Sequence, residues 1–361
     1  MTDPGWFREQ FPVFERLAFM NAGSEGPIPR RAAEAVQSRL RDELEGGRGG
    51  RPYFMALLEL AMTLRRRCAE LLGCDPDEVA LTGSTTDGVN TVVSGLDLRP
   101  GDEIVTTDEE HPGLLAPLAR AQRRHGVVVR AVPWDELLGA VGPKARLIAC
   151  SHVSWVSGRL LDAGALAATG VPVLLDGAQG LGAVPVDVRT IGCDFYAASG
   201  QKWLCGPTGS GCLFVKRDRI DELLMPWPGY GSLADPQDPL AFLPAEGAAR
   251  FDVGFPTGIR SAWALASLDL FQEAGWEWVH ERGRALAAQL AHALAERGLE
   301  VAPRGPTTLV SWRADDSEGQ VERLREQGIV VRHLPGRGLV RASAGAWSSE
   351  EDVERLAQLA S

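Results

Sequence analysis

A chain of 361 residues is too long for one small core and suits one large domain plus a smaller one. With 45% hydrophobic and 24% charged residues it is ordinary for a globular protein, and a net charge of −11 with pI near 5.2 excludes general affinity for nucleic acid or anionic membrane while allowing a small anion at a local positive site. No apolar run reaches membrane-spanning length, and the opening MTDPGWFREQFPVFERL is charged and aromatic, unlike a signal peptide, so the expected location is the cytoplasm.

In chain order, residues 30–45 set Ala33, Val36 and Leu40 on one helical face. EVALTG (78–83) reads as a strand, followed by a helix through DGVNTVVSGL. DEIVTT (102–107) is a second strand before the helix PGLLAPLARAQRRHG. VVVRAVPW, RLIACSHVS, VPVLLDGAQ, DFYAASG and SGCLFVKR follow as short, nearly unbroken apolar runs, the pattern of a mostly parallel sheet covered on both faces. Near residue 258 the pattern changes. One long helical zone is expected over 261–298, closed by Gly298. Beyond it come LEVAPR, the strand TLVSWRA, the helix GQVERLREQG, the hairpin IVVRHLPGRGLVRAS and a last helix. The expected division is a large α/β domain over 15–258 and a small α+β domain over 259–361, to which the segment 1–14 is assigned.

Six cysteines occur: Cys68, Cys74, Cys150, Cys193, Cys205 and Cys212. No pair has metal-ligand spacing, and apolar surroundings read as buried reduced thiols; no metal site is expected.

Ligands of open α/β sheets bind at the carboxyl ends of the strands. The polar residues there are Ser84, Thr85, Thr86, His111, His152, Asp176, Gln179, Ser199 and Lys202. A lysine just past the apolar run DFYAASG is costly unless it has a partner or a covalent task. Asp176 ends another apolar run and either caps a turn or meets a positive charge. The glycines flanking Ala178-Gln179 would let a ligand approach. TGSTTDG is either a plain N-cap cluster or a phosphate site at a helix N-terminus. His111 is either a loop residue or stacks on a flat ring. Together the parts describe one ligand, pyridoxal phosphate. Lys202 would bond its aldehyde, Asp176 would keep its ring nitrogen protonated and residues 84–86 would hold its phosphate.

The order TGSTTDG, EEHPG, SHVSWVSG, DGAQGLGAVPVDV, CDFYAASGQKWLCGPTGSG and VRASAGAW resembles the class V aminotransferase family of fold-type I pyridoxal phosphate enzymes. Within it the chain is similar to the branch of cysteine desulfurases, C–S lyases and isopenicillin N epimerase. That resemblance implies a seven-stranded, mostly parallel sheet flanked by helices, a smaller C-terminal domain, and a homodimer with shared active sites. It implies Lys202 as the cofactor-bound base, Asp176 as the ring-nitrogen partner and Gln179 beside the ring hydroxyl. Thr85, Thr86 and Ser199 become phosphate ligands and His111 the stacking histidine. Arg341, with Arg332 and Asn21, is assigned to the substrate, Arg341 clamping its α-carboxylate. Thr257, in GFPT, is the candidate to reach the partner subunit's phosphate, since Phe255 has no side-chain donor. Trp203, Trp227, Tyr230 and Phe255 are expected either to pack, the preferred reading, or to serve the partner's pocket.

Three departures from the desulfurase pattern stand out. Gln201 replaces the histidine before the lysine, Trp155 replaces an asparagine, and no cysteine follows Cys212, so the nucleophile that would carry a persulfide is missing. The expectation is therefore a C–S lyase. Lys202 removes the Cα proton and a thiolate or sulfenate leaves Cβ of cysteine, cystine or a cysteine-conjugate sulfoxide of the ergothioneine-synthesis type, yielding pyruvate and ammonia. The alternative is an aminotransferase, then an epimerase.

Overall fold

Nearly every short apolar run becomes a strand in the computed structural model, which describes residues 2–252, 254 and 257–360. The strands of the first two-thirds are β1 (Ala18–Phe19), β2 (Val79–Thr82), β3 (Glu103–Thr107), β4 (Val128–Val132), β5 (Ala145–Ser151), β6 (Val173–Asp176), β7 (Phe195–Ser199) and β8 (Gly211–Val215). β2 to β8 form one seven-stranded sheet in the order β2-β8-β7-β6-β5-β3-β4. All its pairs are parallel except those of β8, which runs antiparallel to both β2 and β7. Six strands (β2 to β7) thus end at the same edge, and the short return from β7 to β8 lies there too.

The unbroken apolar runs have a simple cause. Successive residues point to opposite faces of a sheet, and both faces are covered. Val79, Val105, Ile148, Val173 and Tyr196 enter one core, while their neighbours Ala80, Ile104, Leu147, Leu174 and Phe195 enter the other.

The remaining strands are β9 (Leu309–Arg313), β10 (Ile329–Val330), β11 (Arg332–Leu334) and β12 (Leu339–Ser343). β11, β12 and β9 make an antiparallel sheet in that order, in which Arg341 faces Arg332 on one side and Ser311 on the other. β1 pairs in parallel with β10, and Asn21 bridges to Ser343, so the N-terminal segment runs beside β12.

Several local expectations change. The helix over 30–45 spans Arg30–Gly46, but Leu40 stands 54% exposed and Ala32 carries the buried contact, because the helix packs through that side against the helix Gly258–Ala274. The zone 261–298 is two helices, Gly258–Ala274 and Trp276–Glu296. Gly275 separates them at φ 85, a conformation only glycine adopts easily. The helix Gly50–Leu72 had no clear expectation. Trp203 is buried as expected, stacked on Trp347 with ring centroids 6.4 Å apart; Trp347 in turn meets Phe11 and Phe271. Trp227 and Tyr230 are instead exposed, and Phe255 lies outside the described residues.

Candidate active site

β5, β6 and β7 end on Ser151, Asp176 and Ser199, and these three line a cavity of about 320 Å³ at the shared sheet edge. Asp176 is buried. Its Oδ1 accepts from the Ala178 N–H at 2.9 Å, and the other oxygen takes no hydrogen bond among the described residues. Burial pushes its carboxyl up, and the nearby Lys202 ammonium pulls it back down. The flanking glycines serve the fold beneath the site, not ligand approach as the sequence suggested. A Cβ on Gly177 would fall 2.0 Å from the Tyr196 ring, and one on Gly180 2.4 Å from its hydroxyl, which pairs with His152 Nδ1 at 3.0 Å.

Only three lysines occur in the chain. Lys144 and Lys216 are exposed, while Lys202 lines the cavity. Burial pulls its ammonium down to about 8, with Asp176 acting against the shift and Arg341 and Arg332 adding to it. Its turn is clamped. Trp203 anchors one side in the aromatic core, and the Gly26 N–H donates to the Gln201 carbonyl at 2.7 Å. A Cβ on Gly26 would sit 2.1 Å from the Lys202 carbonyl oxygen, so only glycine fits. Cys205 is held at φ 52, its carbonyl accepting from Trp263 Nε1 and Ser267 Oγ at 2.9 Å each. Burial drives its thiol far up, which leaves it inert.

At the other end of the cavity the helix Thr85–Gly95 begins. Ser84 caps it by accepting from the Asp87 N–H, and the Thr85 and Ser199 hydroxyls lie 2.6 Å apart. Thr86 also lines this end. Hydroxyls at a helix N-terminus suit an anion. His111 caps the helix Pro112–His125, its Nδ1 accepting from the Gly113 N–H at 3.0 Å, which leaves the proton on Nε2. Burial, then the charges of Lys202, Arg332 and Arg341, hold its pKa at about 4, so the ring is neutral. It meets Trp155 edge-on at 5.0 Å.

Arg341 is fully buried. Nη1 donates to the Trp155 carbonyl at 2.8 Å, while Nε and Nη2 have no partner among the described residues. Burial and the neighbouring Arg332 lower its pKa to about 9. Arg332 Nη1 donates to Ser24 Oγ at 3.0 Å, and Ser24 donates on to Asn21 Oδ1 at 2.8 Å. Asn21 thus sits behind Ser24 and is not part of the lining. Gln179 lines the cavity but is largely committed: Oε1 accepts from Trp203 Nε1 at 3.0 Å and Nε2 donates to the Gly23 carbonyl at 2.7 Å. Thr257 stands apart from the cavity, its hydroxyl accepting from Arg260 Nε at 3.0 Å. Sequence reasoning did not single out Ser24, Glu25, Ser151 or Glu110. Glu110 is buried behind Ser151 and accepts from Thr107 Oγ1 at 2.6 Å and from the Ser151 N–H and Oγ at 3.0 and 2.5 Å.

Aminotransferase class-V is the family description that matches residues 21–356. The chain belongs to the class-V aminotransferase family. It is 32% identical to isopenicillin N epimerase of Streptomyces clavuligerus, across 94% of this chain and 92% of that one. It is 29% identical to the cysteine desulfurase CsdA of Escherichia coli, across 98% and 96%. Among solved structures it superposes on the cystine C–S lyase C-DES bound to its product cysteine persulfide, with TM-score 0.91 and 30% identity over 97% of this chain and 99% of that one. A C-DES mutant with glycine covalently linked to its PLP cofactor matches at TM-score 0.92, 30% identity and 98% of each chain.

Burial raises Glu110 from 4.5 to about 7, outweighing the donors from Ser151 and Thr107. A carboxyl raised in the folded state contributes stability that is complete below about pH 4.5 and lost as pH rises through about 7. Urea unfolding across pH 4.5–8 should show this loss, at most about 3 kcal/mol, and Glu110→Gln should flatten it. An equal slope in the variant would show that Glu110 does not titrate this way.

Proposed function

We propose that this chain is a pyridoxal-phosphate-dependent carbon–sulfur lyase acting on cysteine, cystine or a cysteine conjugate. The residues present fit the cofactor. Asp176 keeps one oxygen unbonded among the described residues, Thr85 and Ser199 gather hydroxyls at a helix N-terminus, and Lys202 is an amine of lowered pKa lining the same cavity. Asp176 would hold the ring nitrogen, Thr85, Thr86 and Ser199 the phosphate, and His111 and Gln179 would flank the ring. Bound there, pyridoxal phosphate supplies an aldehyde that bonds amines and a cationic ring that accepts the electron pair left by a departing Cα proton.

The chain's own groups do the rest. Arg341 offers two unpaired N–H donors to an α-carboxylate, with Arg332 opposite it on the next strand. Lys202 takes the Cα proton as general base, a task suited to an amine whose pKa has come down to about 8. The Cα–H and Cβ–S bonds break and the sulfur leaves with the electron pair of the latter. Water then converts the three-carbon remainder to pyruvate and ammonia.

The absence of a sulfur acceptor in the cavity carries this reading. None of the six cysteines lines it, and the β11–β12 turn is only Pro335-Gly336-Arg337-Gly338, fastened where Arg337 Nη2 donates to the Asp108 carbonyl at 2.7 Å. Sulfur must then depart with its own substituent. Identity to an epimerase favours a second reading, return of the proton to the opposite face of Cα.

A homodimer is part of the proposal. Leu40, Leu44, Met55, Leu58 and Met62 stand exposed on the adjacent helices Arg30–Gly46 and Gly50–Leu72, an apolar face suited to a second copy. A second copy would also give Thr257 a phosphate to reach. Sedimentation should give twice the 38.8 kDa chain mass; a monomer at micromolar concentration would rule the dimer out.

Holoenzyme with cystine should yield pyruvate and ammonia with no added keto acid. Arg341→Lys should lower kcat/KM about a hundredfold by losing the two-pronged donor. Bleaching of the cofactor band reversed only by a keto acid would point to transamination. Exchange of the Cα hydrogen without pyruvate would point to epimerisation.

A further inference from the structure

Five charged side chains line the cavity: Asp176, Lys202, Arg332, Arg341 and Glu25. The proposed chemistry uses the first four and leaves Glu25 without a task. We propose that Glu25 selects the charge of the group carried on the substrate's sulfur, favouring S-substituents that bear an ammonium. This rests on the carbon–sulfur lyase reading for the identity of the substrate and not for the charge preference itself.

Position supports it first. The Glu25 N–H donates to the Asn21 carbonyl at 3.2 Å, and the next residue, Gly26, is pressed against the Gln201–Lys202 turn. The backbone of Glu25 is thereby tied to the turn that carries Lys202. Its side chain is near enough to that ammonium for the charge to pull its carboxyl down, against a larger upward push from burial.

Lack of commitment supports it second. Oε2 accepts one long hydrogen bond from Thr208 Oγ1 at 3.4 Å, and Glu25 forms no ion pair among the described residues. Asp176, the other carboxylate, is buried at the floor, whereas Glu25 is exposed at the rim. An amino acid whose carboxylate meets the two arginines and whose Cα meets Lys202 has only its Cβ substituent left to touch the remaining wall. The free charge on that wall is negative. A partly exposed ion pair of this kind changes affinity by about fivefold.

The test uses holoenzyme and three mixed disulfides of cysteine of nearly equal size, made with cysteamine, propanethiol and 3-mercaptopropionate. Elimination releases R–S–SH, pyruvate and ammonia with uptake of one water, and no oxidant is needed. Rapid-mixing absorbance titration of the cofactor band gives each dissociation constant before turnover, and pyruvate is measured separately. The expected order of affinity is ammonium, then propyl, then carboxylate, with about fivefold at each step. Glu25→Gln should collapse the ammonium-to-carboxylate ratio toward one, and Glu25→Asp should keep part of it. A wild-type protein without this order, or a ratio unchanged in Glu25→Gln, overturns the proposal. If the order holds but no pyruvate appears, charge selection stands and the lyase reading falls.

Discussion

An arginine with no exposed surface and two idle N–H groups is the constraint around which the rest of the site is arranged. Arg341 sits on the central strand of a three-stranded sheet, bonded to one backbone carbonyl and facing a second arginine across the strand pair. Leaving such a charge unpaired costs about 3–5 kcal/mol. An anion that enters the cavity relieves that cost, so the energy held at Arg341 becomes affinity for a carboxylate. Asp176 stands in the same condition with opposite sign: a buried carboxylate with one oxygen unbonded. The two are held apart on different sheets, so neither can neutralise the other, and each waits for a different part of a ligand.

Rigidity follows from how the separate chain segments are pinned. The Lys202 turn is fixed by Trp203 in an aromatic core shared with the N-terminal phenylalanines, and by Gly26 against its backbone. Trp203 also holds Gln179, which holds the Gly23 carbonyl. Gly23 itself leaves room for Arg341, since a Cβ there would lie 2.8 Å from Nη2. Residues 23, 179, 203 and 341 therefore form one mechanical unit, and the cavity is set before any ligand binds. That is preorganisation in its plain sense: little reordering remains when charge develops.

Much of this was legible in the sequence. The sheet was readable because burial on both faces leaves unbroken apolar runs, and Ser84, Thr85, Thr86, Asp176, Ser199 and Lys202 were readable because they follow those runs at strand ends. The break at Gly275 was hidden because a single glycine does not interrupt helical periodicity enough to show. The glycines around Gln179 were misread because the reason for them, the Tyr196 ring, comes from the neighbouring strand β7. Glu25 and Ser24 reach the cavity only through the pairing of β1 with β10, a contact more than 300 residues apart in sequence, for which no local pattern exists. Glu110 follows another acid directly, and nothing local marks it as buried behind Ser151.

Only three lysines exist in the chain, and two are exposed and remote from the cavity. The most direct measurement is therefore borohydride reduction of the protein loaded with pyridoxal phosphate, followed by peptide mass mapping. One pyridoxyl phosphate on the peptide containing Lys202, with Lys144 and Lys216 unlabelled, is the expected result. Label on either exposed lysine instead, or none at all, would contradict the assignment of Lys202 and with it the chemistry built on this cavity.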